Sequence, residues 1–340
     1  MIRTLIPLVL GAANLLAQQP PITNAYLRQV PAANGLEAAL RTAIGGSTKP
    51  AWIGYAVPAI PGERNSCCWN DNGRGCGLEG QRRSDGSPQN VVPVRLEGPS
   101  HVVILLRFEQ GVAEKLRVFS PDCPLDAGGL PFHWLTDVKP VESVAMLAAW
   151  VGRQTENSVH AIAMHAGAEA LAALVQFAGA SQKEAIRKQA LFWLANSRGK
   201  QGYAVVSKAV REDPSDKVRE HAIFALTQSR EPEAIPTIVA IAKEDKSPKV
   251  RSQALFWLSQ KASKKGSEAI SEAIDRDPDT DVKKKAVFAL SRLPKDEGIP
   301  KLIQIARTHS NAAVRKQAMF WLGQSQDRRA IEMFEQILLK

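Results

Sequence analysis

The stretch that decides the fold is the heptapeptide SQALFWL at residues 252–258, which recurs in variant form along the C-terminal part of the chain. Its relatives are KQALFWL from residue 188, EHAIFAL from 220, KKAVFAL from 284 and KQAMFWL from 316, each 32 residues after the one before. The residue after Phe alternates between Trp and Ala, which makes a larger block of 64 residues. A fixed interval of this length is typical of solenoids, in which stacked helical hairpins share one continuous core.

The helix starts repeat with the same interval. One column precedes a Val by three residues in successive units, and its members are Ser215, Ser247, Asp279 and Asn311. All four residue types are good N-caps, so we expect each side chain to accept a hydrogen bond from an amide of the first turn. The preceding helix also recurs, as EALAALVQFA from residue 169, EAIPTIVAIA from 233 and EGIPKLIQIA from 297. Each unit is therefore predicted to be a helix, a turn and a second helix.

These units resemble HEAT repeats, particularly the short variety found in phycobilisome lyases. The residues that carry the resemblance are Val-Arg, Ala four residues after the Val, and Leu four residues after the Ala: Val218-Arg219, Ala222 and Leu226; Val250-Arg251, Ala254 and Leu258; Val314-Arg315, Ala318 and Leu322. Lys283 replaces the Arg once and Ile186 replaces the Val once. The resemblance covers residues from about 140 to 340 and implies an α-solenoid, a fold that serves as a scaffold for many partners.

The Phe column is the feature that this fold does not demand. On a helical wheel the Val, Ala and Leu columns form the core arc, and the alternating Trp/Ala column lies on its edge, where large and small residues pack well. The Phe column falls outside that arc, among polar columns, and the HEAT resemblance implies that it faces the concave side. One interpretation is that the rings stack between units and close the surface. The other is a groove that binds an extended partner.

The groove hypothesis assigns binding roles to the Phe column and to the amides beside it: Phe192, Phe224, Phe256, Phe288, Phe320, Gln189, Gln228, Gln253, Gln260, Gln317 and Gln324. Aromatic rings beside amides suit an extended peptide, a helix or a glycan.

The N-terminus is typical of a secretory signal peptide. Arg3 precedes an apolar run from Leu5 to Leu16, and Ala17 precedes polar residues, which predicts cleavage after residue 17 and export to the periplasm or the cell exterior. The alternative is a membrane anchor, but the run is shorter than the roughly 20 residues that span a bilayer. No later segment is apolar enough to be transmembrane. Residues 18–50 are predicted to be a linker with one short helix from Asn34 to Ile44.

Residues 51–137 predict a small antiparallel β-domain of four to five strands, because apolar or β-branched runs alternate with turn residues there. All four cysteines lie in this region: Cys67, Cys68, Cys76 and Cys123. An even number in an exported chain indicates disulfides. Adjacent cysteines rarely bridge each other, so Cys67 and Cys68 should pair with Cys76 and Cys123 in an order that stays open. The alternative is a zinc site, although this spacing matches no known zinc pattern, and we predict no metal.

The net charge of +10 is unevenly distributed. Residues 1–180 contain 14 Lys and Arg against 14 Asp and Glu, whereas residues 181–340 contain 30 against 20. A basic surface attracts anionic partners, although solvated helix faces are often rich in Lys. This excess leads to an alternative function for the solenoid, the recognition of an anionic envelope polymer.

Motifs for chemistry are absent from the sequence: it has no HExxH, no Walker loop, no nucleophile elbow and no GxGxxG in context. HEAT-like enzymes that hold iron repeat His-Glu pairs, whereas this chain has only Glu220-His221, in the reverse order. We therefore predict no catalytic residue and no cofactor. Export argues against a nucleic-acid partner. An enzyme with its site in residues 51–137 is a further alternative.

Together these patterns predict an α+β multidomain protein, in which a small antiparallel β-domain precedes an α-solenoid of HEAT-like helical hairpins at residues 138–340. The favoured function is an exported scaffold that is not an enzyme and binds another protein or peptide on the concave face of the solenoid.

Overall fold

The computed structural model describes residues 19–62, 66–70, 73–80, 100–153, 157–261 and 263–339. The predicted signal peptide lies outside these ranges, and so does the apolar run at residues 91–96, which is one of the strands expected in the β-domain. The chain forms two compact units, Met1–Ala170 and Leu171–Lys340. A strand-rich part precedes a series of helical hairpins, which confirms the predicted fold class. Within the described ranges, every helix falls short of the length or the hydrophobicity that crossing a bilayer requires.

The first unit is built on a five-stranded sheet. Its described strands are β1 (Ile22–Thr23), β2 (Tyr26–Pro31), β3 (Ala51–Pro58), β4 (Trp69–Asn70), β5 (Gly73–Arg74), β6 (Cys76–Gly77), β7 (His101–Glu109), β8 (Val112–Phe119), β9 (Leu125–Asp126) and β10 (Pro131–Thr136). Its described helices are α1 (Leu36–Ile44), α2 (Pro140–Trp150) and α3 (Ser158–Met164). The main sheet has the order β2-β10-β3-β7-β8, and a smaller sheet has the order β1-β9-β6.

The main sheet is mixed, which differs from the predicted antiparallel arrangement. Strands β3, β7 and β8 are antiparallel, whereas β10 pairs in parallel with both β2 and β3. Parallel strands need a crossover, and the segment from β2 through α1 to β3 supplies it. The sequence analysis placed β2 in a linker. This strand lies at the sheet edge with five of its six residues exposed, so it lacks the alternation that marks a half-buried strand.

The core of the first unit surrounds strands β3 and β7, which are buried on both faces. One face packs Trp52, Leu105 and Phe132 against the cysteine-containing segment. On the other face, the phenol oxygen of Tyr55 lies 2.8 Å from Oγ of Ser143, which in turn lies 2.8 Å from Nε2 of His165. Solvent reaches none of these three polar side chains, so the hydrogen bonds tie the helical segment after residue 139 to the sheet. The first unit therefore includes α2 and α3, which the sequence analysis assigned to the solenoid.

The four cysteines form two disulfides, Cys67–Cys123 and Cys68–Cys76, which gives the pairing that the sequence left open. The Sγ atoms of Cys67, Cys76 and Cys123 lie within 4.8 Å of one another, close enough to surround a metal ion. Since every cysteine is oxidised, no thiolate is available to bind zinc, and the cluster instead crosslinks the loops that cover the sheet.

The second unit consists of helical hairpins. Its described helices, with α4 beginning at the unit boundary, are α4 (Ala168–Phe177), α5 (Glu184–Ser197), α6 (Gly199–Glu212), α7 (Asp216–Gln228), α8 (Ala234–Glu244), α9 (Pro248–Gln260), α10 (Lys264–Arg276), α11 (Thr280–Ser291), α12 (Lys295–Thr308), α13 (Ala312–Gln324) and α14 (Arg328–Leu338). The predicted core columns are buried: Val218, Ala222 and Leu226 have no exposed surface. Helices α5, α7, α9, α11 and α13 pack successively against one another and form one layer.

Only two of the four predicted N-caps accept hydrogen bonds from the first helical turn. Asp279 accepts from the amides of Asp281 and Val282, and Asn311 does the same in α13. Ser215 and Ser247 occupy the N-cap positions, but their hydroxyls donate to carboxylates of the preceding unit. Oγ of Ser247 lies 2.6 Å from Oδ2 of Asp216 and lowers the pKa of that carboxyl below its usual range. The hydrogen bond that a hydroxyl donates to a carboxylate is stronger than one that it accepts from a neutral amide, so the carboxylate sets the orientation of the hydroxyl.

Candidate functional site

The candidate site lies on the layer of second helices, where the Phe column emerges beside the buried core. Phe192 stacks on Phe224 with ring centroids 5.8 Å apart, and Phe256 stacks on Phe288 at 6.4 Å. The first four rings of the column are half-buried, and Phe320 is 53% exposed. The rings thus do stack between neighbouring units, as one interpretation of the sequence expected, and they keep an accessible edge as well.

The Trp residues bridge the gaps between the stacked pairs. Trp257 lies 5.0 Å from Phe224 and 5.2 Å from Phe256, measured between ring centroids. Trp321 lies 4.9 Å from Phe288. Phe and Trp therefore form one continuous series of rings across five helices. We call this series the aromatic ladder, and its members are Phe192, Trp193, Phe224, Phe256, Trp257, Phe288, Phe320 and Trp321.

Two indole nitrogens in the ladder have no hydrogen-bond acceptor among the described residues. Nε1 of Trp257 and Nε1 of Trp321 are both buried. Most buried N–H groups in folded proteins are paired, so an unpaired donor indicates strain or a missing partner. Neighbouring side chains cover both nitrogens, and an acceptor from outside can reach them only if the indole rings turn.

The predicted amide residues line the ladder at exposed or half-exposed positions: Gln189, Gln228, Gln253, Gln260, Gln317 and Gln324. The side-chain nitrogen of Gln228 donates to Oγ1 of Thr227 at 2.9 Å, and that hydroxyl donates to the carbonyl of Phe224. A related chain links Gln260 to Phe256 through Ser259. These bonds hold two of the amides beside the rings, where their side-chain oxygens can accept hydrogen bonds from a ligand.

The ladder opens into a depression of about 510 Å³ near its C-terminal end. Phe288 and Trp321 form its apolar floor, and Asp281, Lys284, Lys285 and Gln317 form its rim. Nζ of Lys284 lies 2.8 Å from Oδ1 of Asp281, and this bond lowers the pKa of the Asp281 carboxyl. The rim thus combines two ammonium groups with one carboxylate and one amide above a pair of aromatic rings.

The sequence analysis identified the Phe and Gln columns and missed two parts of this surface. It interpreted the Trp column as core packing, whereas Trp257 and Trp321 pack and also line the ladder. It treated the lysines as part of a general positive excess, although Lys284 and Lys285 concentrate charge at one place. The 64-residue period could have indicated both parts. Residues 64 positions apart provide the same Phe and Trp floor but different charged residues at the rim.

Comparison with known proteins supports the repeat assignment. The family model for HEAT repeats matches residues 170–259, 203–291 and 267–340. No curated protein sequence matches the chain. A structure of the complex of CpcE and CpcF of phycocyanin lyase from Nostoc sp. PCC7120 is 20% identical, with 53% of this chain and 98% of that chain covered and a TM-score of 0.29. Human deoxyhypusine hydroxylase in complex with glycerol is 12% identical, with 58% and 89% covered and a TM-score of 0.26.

The family matches together span residues 170–340, half of the chain. They confirm the resemblance that the Val-Arg, Ala and Leu columns indicated, and they coincide with the helical hairpins from α4 to α14. The chain belongs to the family of HEAT-repeat proteins.

Proposed function

We propose that this protein is an exported scaffold whose solenoid binds an extended polypeptide along the aromatic ladder. HEAT repeats suggest a protein-interaction solenoid. The proposal of a polypeptide ligand rests on the continuity of the ladder. The ladder joins rings from the second helices of five successive hairpins on one accessible surface. Packed helices lie roughly 8–10 Å apart, so the four spacings between five of them span roughly 32–40 Å. An extended chain of about 11 residues has the same length.

The chemistry of the ladder also favours a polypeptide. Ring faces and edges provide apolar contact for side chains, and the flanking amides can bond the polar groups of a peptide backbone. The unpaired N–H groups of Trp257 and Trp321 would gain acceptors from peptide carbonyls once their rings turn. Rigid aromatic residues are common among the side chains that dominate binding energy at interfaces.

Export is the second part of the proposal. It rests on the apolar N-terminal run that resembles a signal peptide and on the two disulfides, which persist in oxidising compartments. We place the protein in the periplasm or outside the cell on these grounds.

The polypeptide proposal predicts a large loss of binding when two rings of the ladder are removed. A phage-displayed library of 12-residue peptides, selected on the purified wild-type protein, supplies the probes. We expect Phe224→Ser/Phe256→Ser to weaken the selected peptides by at least about 30-fold, the effect of losing one interface residue that contributes about 2 kcal/mol. Fluorescence anisotropy measures the dissociation constants.

The control for this experiment is Ile331→Ser, because Ile331 is an exposed apolar residue on α14, outside the ladder. This variant should bind like the wild type. Thermal melts of all three proteins separate lost binding from lost folding. Peptides that bind the double variant with wild-type affinity would show that the ladder is only a packing device.

The positive excess of the solenoid favours one alternative, an anionic envelope polymer as the ligand. Ionic strength separates the two, since contacts between exposed charges are largely screened at 1 M salt and apolar contacts are not. Peptide binding that persists at 1 M salt supports the polypeptide. Weak peptide binding together with salt-sensitive binding of a polyanion would instead support the anionic polymer as the ligand.

A further inference from the structure

The charges beside the aromatic ladder are distributed unevenly along it. The columns that flank the Phe rings carry Lys188 on α5 and Glu220 on α7, which offset each other, and no charged residue on α9. In the same columns on α11, at its C-cap and on α13, every charged residue is a cation: Lys284, Lys285, Arg292 and Lys316. The positive potential of the ladder is therefore concentrated on its last two helices.

The depression over Phe288 and Trp321 lies within this positive region. Its rim has two lysines and one aspartate, a formal charge of +1. The aspartate bonds Lys284 at 2.8 Å, whereas Lys285 is exposed to solvent. An ammonium group beside an apolar floor attracts an anion whose body can cover the rings, because the body excludes water and thereby strengthens the charge interaction.

The equivalent place 64 residues earlier provides an internal comparison. Its floor is the same, since Phe224 and Trp257 lie 5.0 Å apart. Its rim is Lys217, Glu220 and His221, and the imidazole lies 5.7 Å from the Phe224 ring. Burial, followed by the nearby charge of Lys188, lowers the pKa of His221, so the imidazole is neutral at neutral pH. The three side chains of the earlier rim therefore carry no net charge, although Lys188 lies beside His221, whereas those of the later rim carry +1.

We infer that the depression over Phe288 and Trp321 is a binding subsite for an anionic group on an apolar or aromatic body. This inference rests on the proposed function and deepens it: in a polypeptide partner the group is an acidic residue next to a hydrophobic one. Only one of the two equivalent aromatic floors is cationic. The acidic residue consequently fixes the register and the direction of the bound chain on the ladder.

The test uses two dyes with the same ring system. 1-Anilinonaphthalene-8-sulfonate is anionic, and N-phenyl-1-naphthylamine is its neutral counterpart. The variant Asp281→Lys/Lys284→Glu/Lys285→His gives the later rim the residues of the earlier one, and Lys217→Asp/Glu220→Lys/His221→Lys does the reverse. Each new residue already occupies the corresponding position elsewhere in this solenoid, so both variants should fold.

We expect Asp281→Lys/Lys284→Glu/Lys285→His to weaken the sulfonate dye about tenfold and to leave the neutral dye within twofold, as measured by fluorescence titration. The reverse variant should bind a second equivalent of the sulfonate dye. A wild-type protein that does not bind the sulfonate dye, or equal affinity in all three proteins, would overturn the inference. Peptide binding that depends on Phe224 and Phe256 would still support the ladder in that case, so the two proposals fail separately.

Discussion

Replacing Arg219 by alanine should lower the free energy of unfolding of the solenoid by about 3–5 kcal/mol, because the change leaves a buried carboxylate without its partner. The guanidinium is fully buried, and its Nε lies 2.9 Å from Oδ2 of Asp245, whose side chain is 3% exposed. Nη1 of Arg219 also donates to the carbonyl of Asp213 at 2.8 Å. The same pairing joins Arg187 to Asp213 in the preceding unit.

The matched control lies in the same column, where Lys283 replaces the arginine. Its ammonium group donates to the carbonyl of Asp275, and the position of the partner aspartate is occupied by His309. Lys283→Ala removes no partner from a buried carboxylate and should cost less than about 1 kcal/mol. Guanidinium denaturation followed by circular dichroism compares the two variants. Equal midpoints would contradict the prediction.

The second large effect is expected at Gly202 on α6. A Cβ atom at this position would overlap the carbonyl oxygen of Leu194 and lie 2.9 Å from Cβ of Arg198. Backbone atoms cannot move aside as a flexible side chain can, so Gly202→Ala should destabilise the protein by about 3 kcal/mol despite the better helix propensity of alanine. The melting temperature of the variant, measured by calorimetry, should fall by several degrees.

Gly266 provides the control, because it lies 64 residues later in the same column. A Cβ there would meet Oγ of Ser263 at 3.0 Å and the carbonyl oxygen of Leu258 at 3.2 Å, distances that a small shift relieves. Gly266→Ala should therefore change the stability by less than about 1 kcal/mol, since the propensity gain offsets the tighter contact. A larger loss at Gly266 than at Gly202 would refute the explanation by backbone overlap.

The solenoid was predictable because each of its columns repeats. The burial of Val218, Ala222 and Leu226 follows from their spacing, and the same spacing recurs in each unit. The buried aspartates escaped prediction. Asp213, Asp245 and Asp277 stand just after helices, where a sequence pattern indicates only a turn, and their arginine partners come from the second helix of the preceding hairpin. Such a pairing depends on how the hairpins stack, which periodicity does not specify.

The first unit was less predictable because its decisive contacts join distant parts of the chain. Strand β2 pairs with β10 across about a hundred residues, and its own residues are mostly exposed.

In the candidate site, the Phe column was identified because it violates the core pattern. The bridging role of Trp257 and Trp321 was not identified, because a residue at the edge of the core arc can turn toward the core or toward the Phe ring of the preceding helix in the layer.

The series of buried ion pairs ends at Arg251–Asp277, and this affects how the solenoid opens. Arg187, Arg219 and Arg251 each join one hairpin to the next by an ion pair. At the next equivalent position His309 accepts the amide of Asn311, and its Nε2 lies 3.1 Å from the carbonyl oxygen of Ile274, so an uncharged contact replaces the ion pair. Adjacent repeats unfold together only when the interface between them is strong. Fraying that starts in α12 to α14 should therefore stop at the Arg251–Asp277 pair. The depression between α11 and α13 lies across this weaker interface between hairpins. A ligand bound there would therefore stabilise the packing of the C-terminal helices against the rest of the solenoid.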